Sequence, residues 1–318
     1  MLVFIGHEKN IATGASVYLN FLYMKCTRNK QFYTFKVRKL KLFWMLAYVI
    51  KLIMIQIRNN DVVFHLNSAS NLYLAFVSKF LGFNFVLHIH ETPEFLGTSY
   101  WKKSLIRHIE QHIIFVDERL KKIYPKGHCI RNVVNVERME YLRPRVSPKL
   151  IFAVIGSIDS NKNQLSAIEF LNAQTLSKKI QLKLIGPHND KAYMNVIKER
   201  IMHVKYEVIL TGARNRNLIH SEYDILIACS KYESFGLAVA EALSLNKPVI
   251  FLNADAYPEK FLFFKNICVQ PKSLDDKLIK ELVTLSQNSR DRDQFTEYSL
   301  QGLNNYYEEY FNITNCFQ

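Results

Sequence analysis

The sequence predicts two consecutive α/β domains, each a doubly wound parallel sheet. Three observations carry that expectation. Short apolar runs alternate with longer helix-like stretches from one end of the chain to the other, the order of repeated βαβ units. A length of 318 residues suffices for about two domains with separate cores. Between the halves, the segment RPRVSPK over residues 143–149 holds Pro144 and Pro148 and begins no periodic pattern, so it reads as a linker.

In the first half the expected strands are Leu2 to Ile5, Val62 to Leu66, Phe85 to Ile89 and Ile113 to Val116. Helices are expected around Ser16 to Met24, Phe43 to Ile57, Asn71 to Phe80 and Lys102 to Gln111. In the second half the strands are Leu150 to Ile155, Gln181 to Ile185, Glu207 to Leu210, Asp224 to Ala228 and Pro248 to Leu252, again separated by helical stretches. The aromatic stripe of Tyr298 to Phe311 packs a closing helix. The expected division is therefore 1–145 and 146–300, with a terminal helix over 301–318. Two open sheets facing each other would place their strand C-terminal ends around one central cleft, where ligands of such folds bind.

A hydrophobic content of 49% with 22% charged residues fits a globular chain and excludes a disordered one. Cys26, Cys129, Cys229, Cys268 and Cys316 are scattered, so neither a disulfide framework nor a zinc site is indicated, and a reducing cytoplasm is the simplest compartment. The start MLVFIGHEKN reads as a strand and not as a secretory leader, which leaves the Asn312 sequon without glycosylation to explain.

The net charge of +14 is unevenly spread. Residues 1–145 carry 22 Lys and Arg against 9 Asp and Glu, whereas residues 146–318 carry 20 against 19. The stretch Lys25 to Arg58 has nine basic residues and no acid, interleaved with aromatic and aliphatic bulk. It reads either as a segment lying on an anionic membrane surface or as a buried helix with a solvated basic flank. Lys51 interrupts its apolar run well short of the roughly 20 residues that a span needs. The charge would also attract nucleic acid, but no recognition motif accompanies it, so no nucleic-acid partner is expected.

The most informative stretch is KYESFGLAVAEALSLNKPVI, Lys231 to Ile250, which follows the apolar run DILIACS. Glu233 and Glu241 stand eight positions apart, the first in a strand-to-helix loop and the second in the helix. Free N–H groups at a helix start form an anion site, and Gly236 lets a ligand approach the backbone closely. Carboxylates beside a phosphate would repel it unless they accept hydrogen bonds from flanking hydroxyls, as sugar and ribose rings supply. Together these features suggest a nucleotide-sugar. The plain alternative is an amphipathic helix with Glu233 as a cap and Glu241 in solvent. With its strand before and KPVI after, the block resembles the E-x7-E signature of the retaining family 4 glycosyltransferases, whose fold is GT-B.

The resemblance implies two Rossmann-like domains facing a cleft: an acceptor-binding one first, a nucleotide-sugar-binding one second, and a last helix crossing back. The donor residues it implies are Gly14, Ala15, Gly156, Lys162, Glu233, Ser234, Phe235, Gly236, Leu237 and Glu241. Lys162 lies in the loop GSIDSNKNQ, where it matches the family's phosphate-neutralising lysine, while Ser157 and Ile158 stand where the family usually carries an arginine. Gly14 and Ala15 end the loop GHEKNIATGAS after the first strand. His90 follows strand Phe85 to Ile89 and matches a histidine that contacts the transferred sugar; His88 is assigned to the other side of that strand. Asn132 in IRNVVNV would line the cleft, and Lys183 to Asn189 and Thr211 to Arg214 would surround the base. Asp291-Arg292-Asp293 fits a D-x-D metal pattern but follows no apolar strand, so no metal is expected.

The expected function is transfer of a hexosyl group, with retention, from a UDP- or GDP-linked sugar to a hydroxyl acceptor. Glu233, His90 and Lys162 carry it, and no cofactor is needed. The basic first half suggests a lipid-linked glycan acceptor in O-antigen, capsule or exopolysaccharide assembly, at the inner face of the cytoplasmic membrane. The alternatives are a GT-B epimerase that hydrolyses a nucleotide-sugar, and a non-catalytic basic protein that binds nucleic acid or membrane.

Overall fold

A computed structural model describes residues 1–7, 14–35, 41–97, 99–132, 134, 148–188, 190–263, 267–288 and 296–317. The chain forms two compact units, Met1–Val133 with Thr296–Gln318, and Val134–Phe295.

The first unit runs β1 (Leu2–His7), α1 (Gly14–Lys25), β2 (Lys30–Phe35), α2 (Lys41–Arg58), β3 (Val63–Asn67), α3 (Leu72–Phe80), β4 (Asn84–Ile89), α4 (Pro93–Leu96), α5 (Tyr100–Ile109), β5 (Ile113–Phe115), α6 (Glu118–Ile123) and β6 (His128–Cys129). Its strands pair in parallel in the order β2-β1-β3-β4-β5-β6, so the order reverses beside β1. Helices cover both faces, which is why the strands read as continuous apolar runs. Alternation sorts the side chains. Val3, Ile5, Phe64, Leu66, Phe85, Leu87 and Ile89 pack against α2, α3 and α5. Leu2, Phe4, Val63, Val86 and Ile114 turn the other way, toward Tyr18, Leu19 and Leu22 of α1 and toward the end of the chain.

The second unit runs β7 (Lys149–Ile155), α7 (Gln164–Asn172), β8 (Lys179–Ile185), α8 (Lys191–Ile201), β9 (Glu207–Gly212), α9 (Arg216–Ile219), β10 (Ile225–Ala228), α10 (Leu237–Ser244), β11 (Val249–Phe251), β12 (Ile267–Val269) and α11 (Asp276–Asn288). The strand order β12-β11-β10-β7-β8-β9 is again parallel throughout, and it reverses between β7 and β10. Ligands of such sheets bind at this reversal, outside the strand C-terminal ends.

The last helix, α12 (Thr296–Phe311), belongs to the first unit, where Leu303, Tyr306 and Tyr307 enter the core under α1. It does not continue over 301–318: Asn312 takes a left-handed φ of 55°, and the tail after it returns to pair Phe317 with Cys26 in an antiparallel bridge.

Three strands lie outside the expected set. β2 falls inside the stretch read as one basic segment; its KQFYTF sequence is aromatic and extended, and it edges the sheet beside β1. β6 and β12 have only two and three residues, too short for periodicity to mark. The linker residues 143–147 lie outside the described set. Among the described residues no helix is long and apolar enough to cross a membrane.

Candidate functional site

In the second unit, β7 and β10 are neighbours, and the loops leaving their C-terminal ends meet at the reversal. The loop after β7 starts at Gly156, whose φ of 148° favours glycine. A Cβ there would stand 3.0 Å from Cε of Lys162, so the missing side chain gives the lysine stem room to lie across the backbone. Gly186 at the end of β8 is more constrained still, since its Cβ would fall 1.9 Å from the Gly156 carbonyl oxygen.

Hydrogen bonds fix the loop. Asp159 Oδ1 accepts from the amides of Asn161 at 3.0 Å and Lys162 at 2.9 Å. Asn161 clips the loop to the one after β10: its Nδ2 donates to the Tyr232 carbonyl at 3.2 Å, its Oδ1 accepts from the Tyr232 amide at 3.2 Å, and its carbonyl accepts from the Lys231 amide at 2.7 Å. Across this junction Lys162 Nζ donates to Glu233 Oε1, and the two form an ion pair. Ser230 Oγ donates to the same oxygen at 2.9 Å. Burial alone would lower the Lys162 pKa, but Glu233 outweighs it and holds the ammonium above its ordinary value.

Gly236 then opens α10 in the left-handed conformation, φ 78° and ψ 56°, with Tyr257 Cδ1 only 2.9 Å from where a Cβ would be. The amides of the first turn, from Leu237 on, start beside the ion pair in sequence and carry the positive end of the helix dipole. Phe235 is buried, its ring against Phe261 with centroids 5.7 Å apart, so its side chain supports the loop and does not face a ligand. Glu241 is 3% exposed, which rules out the solvated carboxylate of the plain-helix alternative. Its Oε2 lies 3.1 Å from His220 Nε2, and His220 Nδ1 lies 2.5 Å from the Tyr223 hydroxyl. Of the segments assigned to the base, Lys183 and Arg214 both face Glu222, at 3.4 Å and 3.9 Å. Asn189 lies outside the described residues.

In the first unit, Asn67 at the end of β3 joins two of the expected residues. Its Nδ2 donates to the Ala15 carbonyl at 3.1 Å, in the first turn of the helix that Gly14 opens, and its Oδ1 lies 2.8 Å from His90 Nε2. The Asn132 side chain lies close enough to act on the His90 ring and raise its pKa, so the structure brings His90 and Asn132 together. Glu91 is held by the amide of Ala69 at 3.0 Å and by its neighbour's amide at 3.1 Å.

His88 is not on the opposite side of β4 from His90. Residues two apart on a strand share a face, and the two rings stack with centroids 4.4 Å apart. Tyr18 meets both rings edge-on at 5.1 Å, and His65 continues the row, 5.5 Å from His88, with its Nδ1 2.6 Å from the Tyr307 hydroxyl. Burial lowers all three histidine pKa values, His65 to about 3 and His90 to about 4. For His90, burial outweighs the raising effects of Glu91 and Asn132.

Sequence reasoning passed over Asn67, Asp159, Asn161, Ser230 and His220. Asn67 had a signal of its own, a polar residue closing an apolar strand beside the reversal of strand order. Among the described residues no group of three His, Cys, Asp or Glu side chains could hold a metal ion. Asp291 and Asp293 lie outside that set.

The family model described as "Glycosyl transferases group 1" matches residues 143–301. No curated protein matches the chain in sequence. Among solved structures, Anabaena HepE in complex with UDP-glucose is similar with a TM-score of 0.74 and 14% identity, over 98% of this chain and 100% of that one. Sucrose-phosphate synthase from Thermosynechococcus elongatus follows at 0.71 and 14%, over 98% and 99%. WaaG, a glycosyltransferase involved in lipopolysaccharide biosynthesis, gives 0.66 and 11%, over 96% and 99%. At such identities the likeness speaks for the fold.

Proposed function

The chain belongs to the group 1 glycosyl transferases, and on that premise we propose that it transfers a hexosyl group, with retention, from a UDP- or GDP-linked sugar to a hydroxyl of a lipid-linked glycan. It is a glycosyltransferase of the GT-B fold. The observation that carries the finer reading is the Lys162–Glu233 pair on two loops at the strand-order reversal, next to the left-handed glycine that opens α10.

As the donor bond breaks, negative charge grows on the diphosphate and positive charge on the sugar. Lys162 and the backbone amides of residues 234–237 answer the first. Glu233 accepts hydrogen bonds from sugar hydroxyls and favours the second. Glu241, oriented by His220, is suited to accept from ribose hydroxyls. In the first unit, His90 is the residue that the resemblance assigns to the transferred sugar. The departing phosphate oxygen takes the acceptor's proton, so this reading calls for no separate protein base. It places the leaving-group charge on Lys162 and backbone amides and asks for no metal.

The acceptor half rests on charge and on α2. Tyr48, Val49, Leu52 and Ile55 turn one face of that helix to the core. Leu46, Ile50, Met54 and Ile57 form an exposed apolar stripe on the opposite face, and Lys51 and Arg58 lie between the two. An apolar stripe with basic flanks suits an anionic bilayer surface, where a lipid-linked acceptor would be met. The protein would then work peripherally at the inner face of the cytoplasmic membrane, in surface polysaccharide assembly.

A panel of nucleotide-sugars, followed by thermal midpoint and by release of free nucleotide, tests the donor half. A raised midpoint and nucleotide release that depends on acceptor lipid are expected. No shift with any donor sinks the reading, and release of free sugar without an acceptor makes the protein a hydrolase instead. Vesicles with anionic lipid should retain the protein at low salt, and failure to do so removes the membrane half alone.

A further inference from the structure

Tyr257 reaches both ends of the loop that carries Glu233. That loop starts at Ser230, just past β10, and ends at Gly236, the left-handed residue before α10. At the first end the Ser230 amide donates to the Tyr257 hydroxyl at 3.3 Å, and the Ser230 hydroxyl in turn donates to Glu233 Oε1 at 2.9 Å. At the other end the Tyr257 ring packs on Gly236, with its Cδ1 2.9 Å and its Cε1 3.1 Å from where a Cβ would stand. We propose that Tyr257 is a positioning residue for the transfer, a brace that sets the spacing between the Glu233 carboxylate and the first amides of α10. This rests on the reading that gives the carboxylate to the sugar and those amides to the diphosphate.

Tyr257 is itself anchored from outside the loop. It is buried, and its ring meets Phe251 of β11 edge-on with centroids 5.2 Å apart. Phe251 is in register with Ala228 of β10, and the Leu252 amide donates to the Ala228 carbonyl at 2.9 Å, so the segment leaving β11 runs beside the one leaving β10. Asn253 ties the same two segments, its Nδ2 donating to the Ser230 carbonyl at 2.9 Å and to the Lys231 carbonyl at 3.3 Å. Burial and the Glu233 charge hold the Tyr257 pKa well above its ordinary value, so the hydroxyl stays neutral and adds no second negative charge beside the carboxylate. Groups that answer opposite charges in one transition state need a fixed separation, which a loop braced at both ends supplies.

The experiment is steady-state transfer by the full chain, using the nucleotide-sugar that supports the fastest nucleotide release in a panel of UDP- and GDP-linked hexoses. The variants are Tyr257→Phe and Tyr257→Leu, with kcat and donor KM read separately. Tyr257→Phe keeps the ring and removes only the acceptor of the Ser230 amide, so kcat should fall about fivefold with donor KM nearly unchanged. Tyr257→Leu also takes the ring from Gly236 and should raise donor KM severalfold, because the amides of α10 hold the diphosphate before the reaction as well as during it. Calorimetric titration with inorganic pyrophosphate should show the same division, weakened by Tyr257→Leu and unchanged by Tyr257→Phe. In a Glu233→Gln background, Tyr257→Phe should lower kcat by no more than about twofold, since it acts through that carboxylate. A Tyr257→Phe protein that loses thermal midpoint but turns over at the wild-type rate would overturn the proposal. So would a Tyr257→Leu protein with the wild-type donor KM, or losses from Tyr257→Phe and Glu233→Gln that simply multiply. A Glu233→Gln protein that transfers at the full rate overturns the parent reading instead, so that single variant tells the two failures apart.

Discussion

The Lys162 ammonium is ion-paired with the Glu233 carboxylate across two loops that leave the neighbouring strands β7 and β10. The carboxylate conditions the lysine, because it offsets the burial that would lower the lysine pKa. Glu233→Gln keeps the shape and removes the charge, and it should cut transfer by about a hundredfold, from the loss of a charge-assisted contact worth roughly 1.5–3 kcal/mol. Lys162→Met should weaken donor binding more than acceptor binding. A double variant read by turnover should show coupling above about 0.5 kcal/mol, and strictly additive losses would mean that the pair does not act as a unit.

Two glycines should tolerate substitution very differently from ordinary loop residues. Gly236→Ala places a Cβ on a left-handed residue and 2.9 Å from the Tyr257 ring, a cost of about 1–2 kcal/mol with a ring that can shift. Its thermal midpoint should fall modestly while donor affinity falls more, since the amides of α10 move with it. Gly186→Ala meets backbone at 1.9 Å, and backbone cannot rotate away. That variant should unfold the second unit or express poorly, which circular dichroism and protease sensitivity would show. A Gly186→Ala protein as stable as wild type would contradict the approach of β7 and β8.

The E-x7-E block was legible because its parts lie within one strand-loop-helix unit, where spacing in sequence is spacing in space. Lys162 was legible for the same reason, in the loop after β7. What tied them together was not: Asn161 and Tyr232 are 71 positions apart and meet only because β7 and β10 are adjacent, a pairing that no local pattern encodes. Asn67 and His90 likewise meet through the pairing of β3 with β4. His88 was misplaced although the alternation rule places it on the His90 face. β6 and β12 are held by their neighbours in the sheet, not by propensity of their own, so their sequences announce little.

The buried histidine row should make stability fall in mild acid. An unfolded histidine takes up its proton near pH 6.5. In the fold, burial lowers His65 to about 3 and His90 to about 4, and lowers His88 well below its ordinary value, with neighbouring histidines adding to the effect at His65 and His88. Below about pH 6.5 the unfolded chain therefore binds more protons than the folded one, so the stability is present above that value and is lost as pH falls toward the folded ones. Each histidine adds a slope of about 1.4 kcal/mol per pH unit in that window. Tyr18, Tyr307, Glu91, Asn67 and Asn132 face the row; Glu91 is the anion among them and raises the His90 pKa, but burial outweighs it, so the sign holds. Urea unfolding between pH 4.5 and 7 should show the slope, and His65→Phe should flatten it by about one histidine's share. A slope unchanged in that variant would rule out His65 as a contributor.

Glu241 offers a test that separates packing from recognition. Its carboxylate is buried, with His220 Nε2 at 3.1 Å and Tyr223 behind the ring, so any substitution there costs stability whether or not a ligand is touched. Loss of stability alone is therefore uninformative, and the ligand must be varied instead. If Glu241 accepts from ribose hydroxyls, Glu241→Gln should weaken binding of a nucleoside diphosphate by about tenfold, one hydrogen bond to a charged group, and leave binding of inorganic pyrophosphate nearly unchanged. His220→Gln should show the same pattern at smaller size, because it disturbs the orientation of the carboxylate and not its charge. Calorimetric titration with both ligands reads the difference directly. Equal losses for the two ligands would place Glu241 in the support of α10, and the ribose assignment would fall while the Lys162–Glu233 assignment stood.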